Sequence, residues 1–212
     1  MTRTRWIVVA VAALVAEAIA VRLGMIADPI PKLAGTGAWT MSRAAGVTAF
    51  GALALDVVFG LFVSTGILDR IVPRGASVDV HRWLSSVSLS LVAVHALALF
   101  GDSWVHYDAF DALVPGVSSY RPGGVALGIA ALYGAVVVHA SFGWRKRIGV
   151  RAWRAIHFTA FAVFLAAGLH GLVAGTDANH AGLRALYVGS FAVVLALVAV
   201  RVALQVRNRV AM

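Results

Sequence analysis

Apolar stretches of about twenty residues or more alternate along this chain with short segments rich in Gly, Pro, Asp and Arg. A helix rises about 1.5 Å per residue, so about 20 apolar residues cross a hydrocarbon core about 30 Å thick. Six stretches reach that length: Trp6 to Met25, Ser42 to Leu68, Val78 to Phe100, Gly123 to Phe142, Trp153 to Val173 and Gly182 to Val202. Helix-breaking segments stand between them, among them "ADPIPKLAGTG", "DRIVPRGAS", "GDSWVHYDAFDALVPGVSSYRPGG" and "GTDANHAG". The pattern predicts an all-α polytopic membrane protein, a six-transmembrane-helix bundle. No internal repeat and no low-complexity tract interrupts it, so residues 1–212 are expected to form a single domain.

Composition fixes the environment. Hydrophobic residues make up 61% and charged residues 13% of the chain, against about 25% charged in soluble domains. The mean hydropathy is +0.89. Lipid is therefore the first expected partner, in a multi-pass protein of a cell membrane; a bacterial cytoplasmic membrane is the expected location.

The net charge of +9 reads as topology. Lys and Arg in connecting segments favour the cytoplasmic side. With the first stretch starting inside, the inner side receives Arg3, Arg5, Arg70, Arg74, Arg82, Arg145, Lys146, Arg147, Arg151, Arg154, Arg201, Arg207 and Arg209. The outer side receives Arg22, Lys32, Arg43, Arg121 and Arg184, together with Asp28, Asp102, Asp108, Asp111 and Asp177. Both termini are expected in the cytoplasm, and no nucleic-acid partner follows from the charge. The start "MTRTRWIVVAVAALVAEAIA" has the basic and apolar parts of a signal peptide, but its apolar run continues to spanning length, which favours a membrane helix.

The third stretch carries two histidines, His81 and His95, fourteen residues apart. Fourteen residues is close to four turns, so both imidazoles leave roughly the same helix face, about 21 Å apart along it. The fifth stretch runs in the same direction and carries His157 and His170, thirteen residues apart. Neutral imidazoles ligate metal, and two on opposite faces of a porphyrin give a six-coordinate iron that changes charge without an open site. Pairing His81 with His157 and His95 with His170 would hold two b-type haems, one near each membrane face. The chain has no cysteine, which excludes disulfides, thiolate clusters and covalent haem attachment. A lone intramembrane histidine is often a packing residue, but polar groups in lipid are costly and four at matched depths favour a cofactor. One detail fits poorly: at 100° per residue, thirteen residues place His157 and His170 on faces about 140° apart in a straight helix. Tilt or a local kink would have to absorb this.

The six stretches, with "HRWLSSVSLSLVAVH" on the third and "RAIHFTAFAVFLAAGLH" on the fifth, resemble the ferric reductase-like transmembrane domain shared by ferric reductases and NADPH oxidases. The resemblance covers nearly the whole chain, and its specific part is the paired histidines. It implies two haems stacked across the bilayer, with His81 and His157 on one and His95 and His170 on the other as axial iron ligands. It accounts for the thirteen-residue interval, which periodicity alone does not suggest. Ferric reductases and NADPH oxidases continue into a flavin and nicotinamide domain, whereas these residues hold no G-x-G-x-x-G turn. The electron donor is accordingly expected to be a separate flavoprotein or a membrane quinol, with a flavin or quinone contributed by that partner. The acceptor is expected outside the cytoplasm: ferric iron, oxygen or a partner protein. The membrane subunit of the periplasmic methionine sulfoxide reductase system is a stand-alone relative of this kind.

Other polar residues are candidates of lower specificity. Arg82 and Arg154 adjoin the inner histidines, where guanidinium groups suit haem propionates, although positive-inside charge explains them equally. Arg121 and Arg184 are the outer counterparts. Phe161 and Phe164 lie between the histidine levels and fit either the gap between haems or ordinary core packing. His139 reads more readily as a packing residue than as a quinone or flavin contact, and His106 and His180 as loop residues. Glu17 and Asp56 are intramembrane carboxylates that would satisfy each other or serve a function. Three functions compete: a transmembrane di-haem oxidoreductase component, a quinone-linked haem subunit dedicated to one extracytoplasmic reductase, and a non-redox transporter or channel using the histidines for protons or metal.

Overall fold

The computed structural model describes residues 36–102 and 107–210, and among these the chain is mostly helical with no strand. The elements are α1 (Thr36–Thr65), α2 (Arg74–Leu99), the short α3 (Ala109–Leu113), α4 (Pro122–Ile148), α5 (Val150–Phe158), α6 (Ala160–Ala174) and α7 (Ala181–Val210). Five helical rods are long and apolar enough to cross a membrane, α5 and α6 together forming one of them. They correspond to the second through sixth predicted stretches; the first, Trp6 to Met25, lies outside the described residues. Large apolar side chains such as Leu55, Val137, Leu165, Leu195 and Val206 are exposed on the bundle. Such a surface belongs in lipid, as in a multi-pass membrane protein.

The rods alternate in direction. Pro73 precedes α2, and Pro122 opens α4, the position where a missing N–H costs nothing. Gly149 joins α4 to α5 with φ +81°, a left-handed value that favours glycine. Arg145, Lys146 and Arg147 fill the last turn of α4, where cations oppose the negative helix end. At the opposite end Asp108 and Asp111 form a reciprocal capping box that starts α3. Arg121 stands there with φ 42°, and its guanidinium donates to the Val173 carbonyl at 2.8 Å, tying the start of α4 to the end of α6.

One aromatic core sits where α1, α6 and α7 meet. Phe50 stacks on Phe164 at 5.6 Å between ring centres, tilts against Tyr187 at 4.7 Å and meets Phe191 at 6.3 Å. Phe164 is therefore a buried packing residue of this core, and Phe50, not singled out by its sequence position, is the centre of it.

The α5–α6 rod is broken at Thr159. The Thr159 backbone N–H donates to the Ile156 carbonyl, a tight i−3 bond, and its hydroxyl donates to the same carbonyl at 2.7 Å. A Thr hydroxyl bonded back into the preceding turn is a recognised cause of helix bending. The Thr159 carbonyl accepts from the Val163 N–H at 3.0 Å, so the helix resumes at once, and His157 and His170 lie on either side of this irregular turn.

Candidate functional site

The site begins with the register of α1 against α2. Three polar links join the antiparallel pair at heptad intervals: Ser42 with His95, Ala49 with Ser88, and Asp56 with His81. At the middle level the Ser88 hydroxyl donates to the Ala49 carbonyl at 3.1 Å. A heptad repeat keeps one seam facing the partner helix, so His81 and His95, two heptads apart, lie on one face.

The backbone decides which ring nitrogen each histidine has free. Nδ1 of His95 lies 2.8 Å from the Ser42 carbonyl, and Nδ1 of His170 lies 2.8 Å from the Gly124 carbonyl. Nδ1 of His81 lies 3.0 Å from the Asp56 carbonyl. A carbonyl has no proton to give, so Nδ1 must carry it, and Nε2 keeps its lone pair. A ring N–H held by a backbone carbonyl is the usual arrangement behind a metal-binding histidine. His157 is oriented differently, by stacking on Trp153 at 5.2 Å between ring centres with planes 24° apart.

Close approach of the rings to neighbouring helices requires glycine. A Cβ at Gly46 would lie 2.8 Å from Nδ1 of His95, and one at Gly128 would lie 2.7 Å from Nδ1 of His170. A Cβ at Gly60 would lie 3.2 Å from Cε1 of His81. Gly46 and Gly60 are fourteen residues apart, the same interval as His81 and His95 on the facing helix. That repeated interval is the signal in the sequence by which these glycines could have been found.

The structure brings the four histidines together in two pairs. The His81 and His157 ring centres are 6.0 Å apart with planes at 88°, and those of His95 and His170 are 6.1 Å apart with planes at 74°. Metal–imidazole bonds of about 2.0 Å on each side, with roughly 1.2 Å from nitrogen to ring centre, put trans imidazoles about 6.4 Å apart. Edge-to-face aromatic packing also covers this distance. Three rings have Nδ1 turned to a carbonyl, which leaves Nε2 available to a ligand.

All four histidines line one cavity of about 1370 Å³ that runs along the bundle. An ordinary small-molecule site measures about 300–1,000 Å³, so there is room for more than one large group. Arg82 and Arg154 line its Arg-rich end, joined by Arg201 from α7. Trp153 lines the same end, and its indole N–H is buried with no hydrogen-bond partner among the described residues. A buried donor beside three guanidinium groups is a place for carboxylates. Among the described residues no three His, Asp or Glu side chains cluster as a metal site. A bare cation held by two imidazoles would be short of ligands, whereas a porphyrin brings four of its own. The residues thus fit two flat metal macrocycles with acidic edges better than two free ions.

Other candidates fall elsewhere. Arg121 and Arg184 lie outside the cavity lining; the arginine lining the end opposite Arg82 and Arg154 is Arg43, ion-paired with Asp177. Phe161 lines the cavity and packs on Phe158 at 5.2 Å. His139 also lines it, with Nδ1 3.0 Å from the Ser85 hydroxyl. Asp56 meets His81, while Glu17 and His106 lie outside the described residues. His180 is exposed in the turn before α7. Tyr107 is buried at the outer end, where burial pushes its phenol above the ordinary value against a hydrogen bond with Ser118 that lowers it. No family model, curated protein or solved structure matches the chain.

Proposed function

We propose that this protein is a transmembrane di-haem b-type cytochrome, an oxidoreductase component that carries electrons across a membrane. The observation that carries the reading is the matched pairing of His81 with His157 and His95 with His170, at separations suited to trans ligation, in one cavity. Bound haem would supply one-electron Fe(III)/Fe(II) chemistry with no open coordination position. His81, His95 and His170 are held by their Nδ1 bonds so that Nε2 is the ligating atom, and Trp153 orients His157. Arg82, Arg154 and Arg201 would offset the charge of propionates at the Arg-rich end, and the Trp153 N–H would donate a hydrogen bond to one of them.

The Arg-rich end is the cytoplasmic one on this reading, with both termini on that side. The donor there is a flavoprotein or a quinol. The acceptor lies on the opposite side and is ferric iron, oxygen or a partner protein. The resemblance to the ferric reductase-like transmembrane domain supports the same assignment. A quinone-linked subunit serving one extracytoplasmic reductase shares every haem contact and differs only in its partners. A proton or metal transporter is less well supported, because Asp56 is engaged with His81 and no carboxylate cluster occurs among the described residues.

The test is haem stoichiometry of ligand variants. His95→Ala or His170→Ala should each lower pyridine haemochrome from about two haems per chain to about one, leaving the inner centre. Two haems retained in either variant would break the assignment.

A further inference from the structure

The two histidine pairs differ in one respect that the proposed function does not use. Oδ1 of Asp56 lies 2.7 Å from Nδ1 of His81, in addition to the carbonyl of the same residue at 3.0 Å. That oxygen is buried and makes no hydrogen bond among the described residues, so it meets the ring as a close charge contact while Nδ1–H is directed at the carbonyl. At the other level, His95 meets the carbonyl and hydroxyl of Ser42, and His170 meets the Gly124 carbonyl. The contacts there are neutral. A buried carboxylate is costly to keep in a membrane unless it does something, and its partner here is a ring proposed to ligate iron.

Resting on that reading, we propose that Asp56 is a positioning residue that makes His81 a more electron-rich ligand and so lowers the reduction potential of the His81–His157 centre relative to its neutral state. A negative charge 2.7 Å from Nδ1 favours positive charge on the ring through space and so raises its basicity. A more basic axial ligand would stabilise Fe(III) over Fe(II), and the charge and polarity around the ligands are established levers on haem potential. The step affected is a one-electron transfer, Fe(III) to Fe(II), with the electron supplied by a flavin or quinol donor and no bond made or broken. Arg82, Arg154 and Arg201, which face the same end of the cavity, pull in the opposite sense and stay in place in the variants below. The consequence is directional: Asp56 favours passage of the electron from the His81–His157 centre to the neutral-ligand centre.

The experiment is a spectroelectrochemical titration of the purified, haem-loaded chain and of Asp56→Asn and Asp56→Ser. Both variants remove the charge and keep the backbone carbonyl, so a shift common to both belongs to the carboxylate. His170→Ala, which keeps only the inner centre, identifies the inner step. We expect that step to move at least tenfold toward the reduced form, about 59 mV for a one-electron couple, with the outer step unmoved. An inner step that stays within threefold of wild type, or two steps that move together, would overturn the proposal. Loss of the inner haem from both variants would also overturn it and make Asp56 a structural support. A wild-type chain that takes up no haem would instead remove the proposed function beneath it.

Discussion

At the level of single residues, the site depends on what stands behind each histidine as much as on the histidine. Gly46 and Gly128 leave room for rings whose Nδ1 atoms would otherwise lie under 3 Å from a Cβ. Gly128→Ala should push the His170 ring off its Gly124 anchor and lower outer haem occupancy, with a packing cost of about 1–3 kcal/mol. Haem content and thermal stability of that variant, beside Gly123→Ala where a Cβ meets nothing within 4 Å, check this. The neighbouring of the His81 and His157 rings and of the His95 and His170 rings was legible from spacing only with the family resemblance beside it, because thirteen residues do not return to one face of a straight helix. The roles of Gly46, Gly60, Gly128 and Arg201 were not. Each depends on which residue faces it across a helix interface, and that register becomes visible only when α1 lies against α2 and α7 returns past His157. Asp56 stood out as an intramembrane carboxylate, and its partner among the described residues is His81.

At the level of the helix, hydropathy located the five described rods and understated their length. The helix α4 continues to Ile148, beyond the predicted Phe142, and α7 to Val210, beyond Val202. Backbone hydrogen bonds do not stop where lipid does, so a helix runs on into the Arg-bearing interface that a search for apolar residues leaves out. The break at Thr159 was invisible to the same search, since "AIHFTAFAV" is apolar throughout except for Thr159 and His157. It falls within the thirteen-residue interval, between α5 and α6. Inserting one Ala after Thr159 should rotate α6 by about 100° relative to α5. The insertion should abolish the outer haem and spare the inner one, which haem quantitation beside a visible spectrum would register.

At the level of the whole molecule, charge is divided between the two ends of the bundle. Arg70, Arg74, Arg145, Lys146, Arg147, Arg151 and Arg154 gather at one end of the rods, and Asp102, Asp108, Asp111 and Asp177 at the other. The account places the first end in the cytoplasm. Since the chain has no cysteine, single cysteines report orientation cleanly. Ser119→Cys should react with a membrane-impermeant maleimide in intact cells, and Arg147→Cys only after permeabilisation; the reverse pattern would invert the direction of flow. The central claim is tested more directly by colour. A reduced-minus-oxidised spectrum of the purified chain, with pyridine haemochrome quantitation, should give b-type bands and about two haems per chain. A chain that remains colourless after haem is supplied would contradict the account and leave the paired imidazoles to a non-redox role.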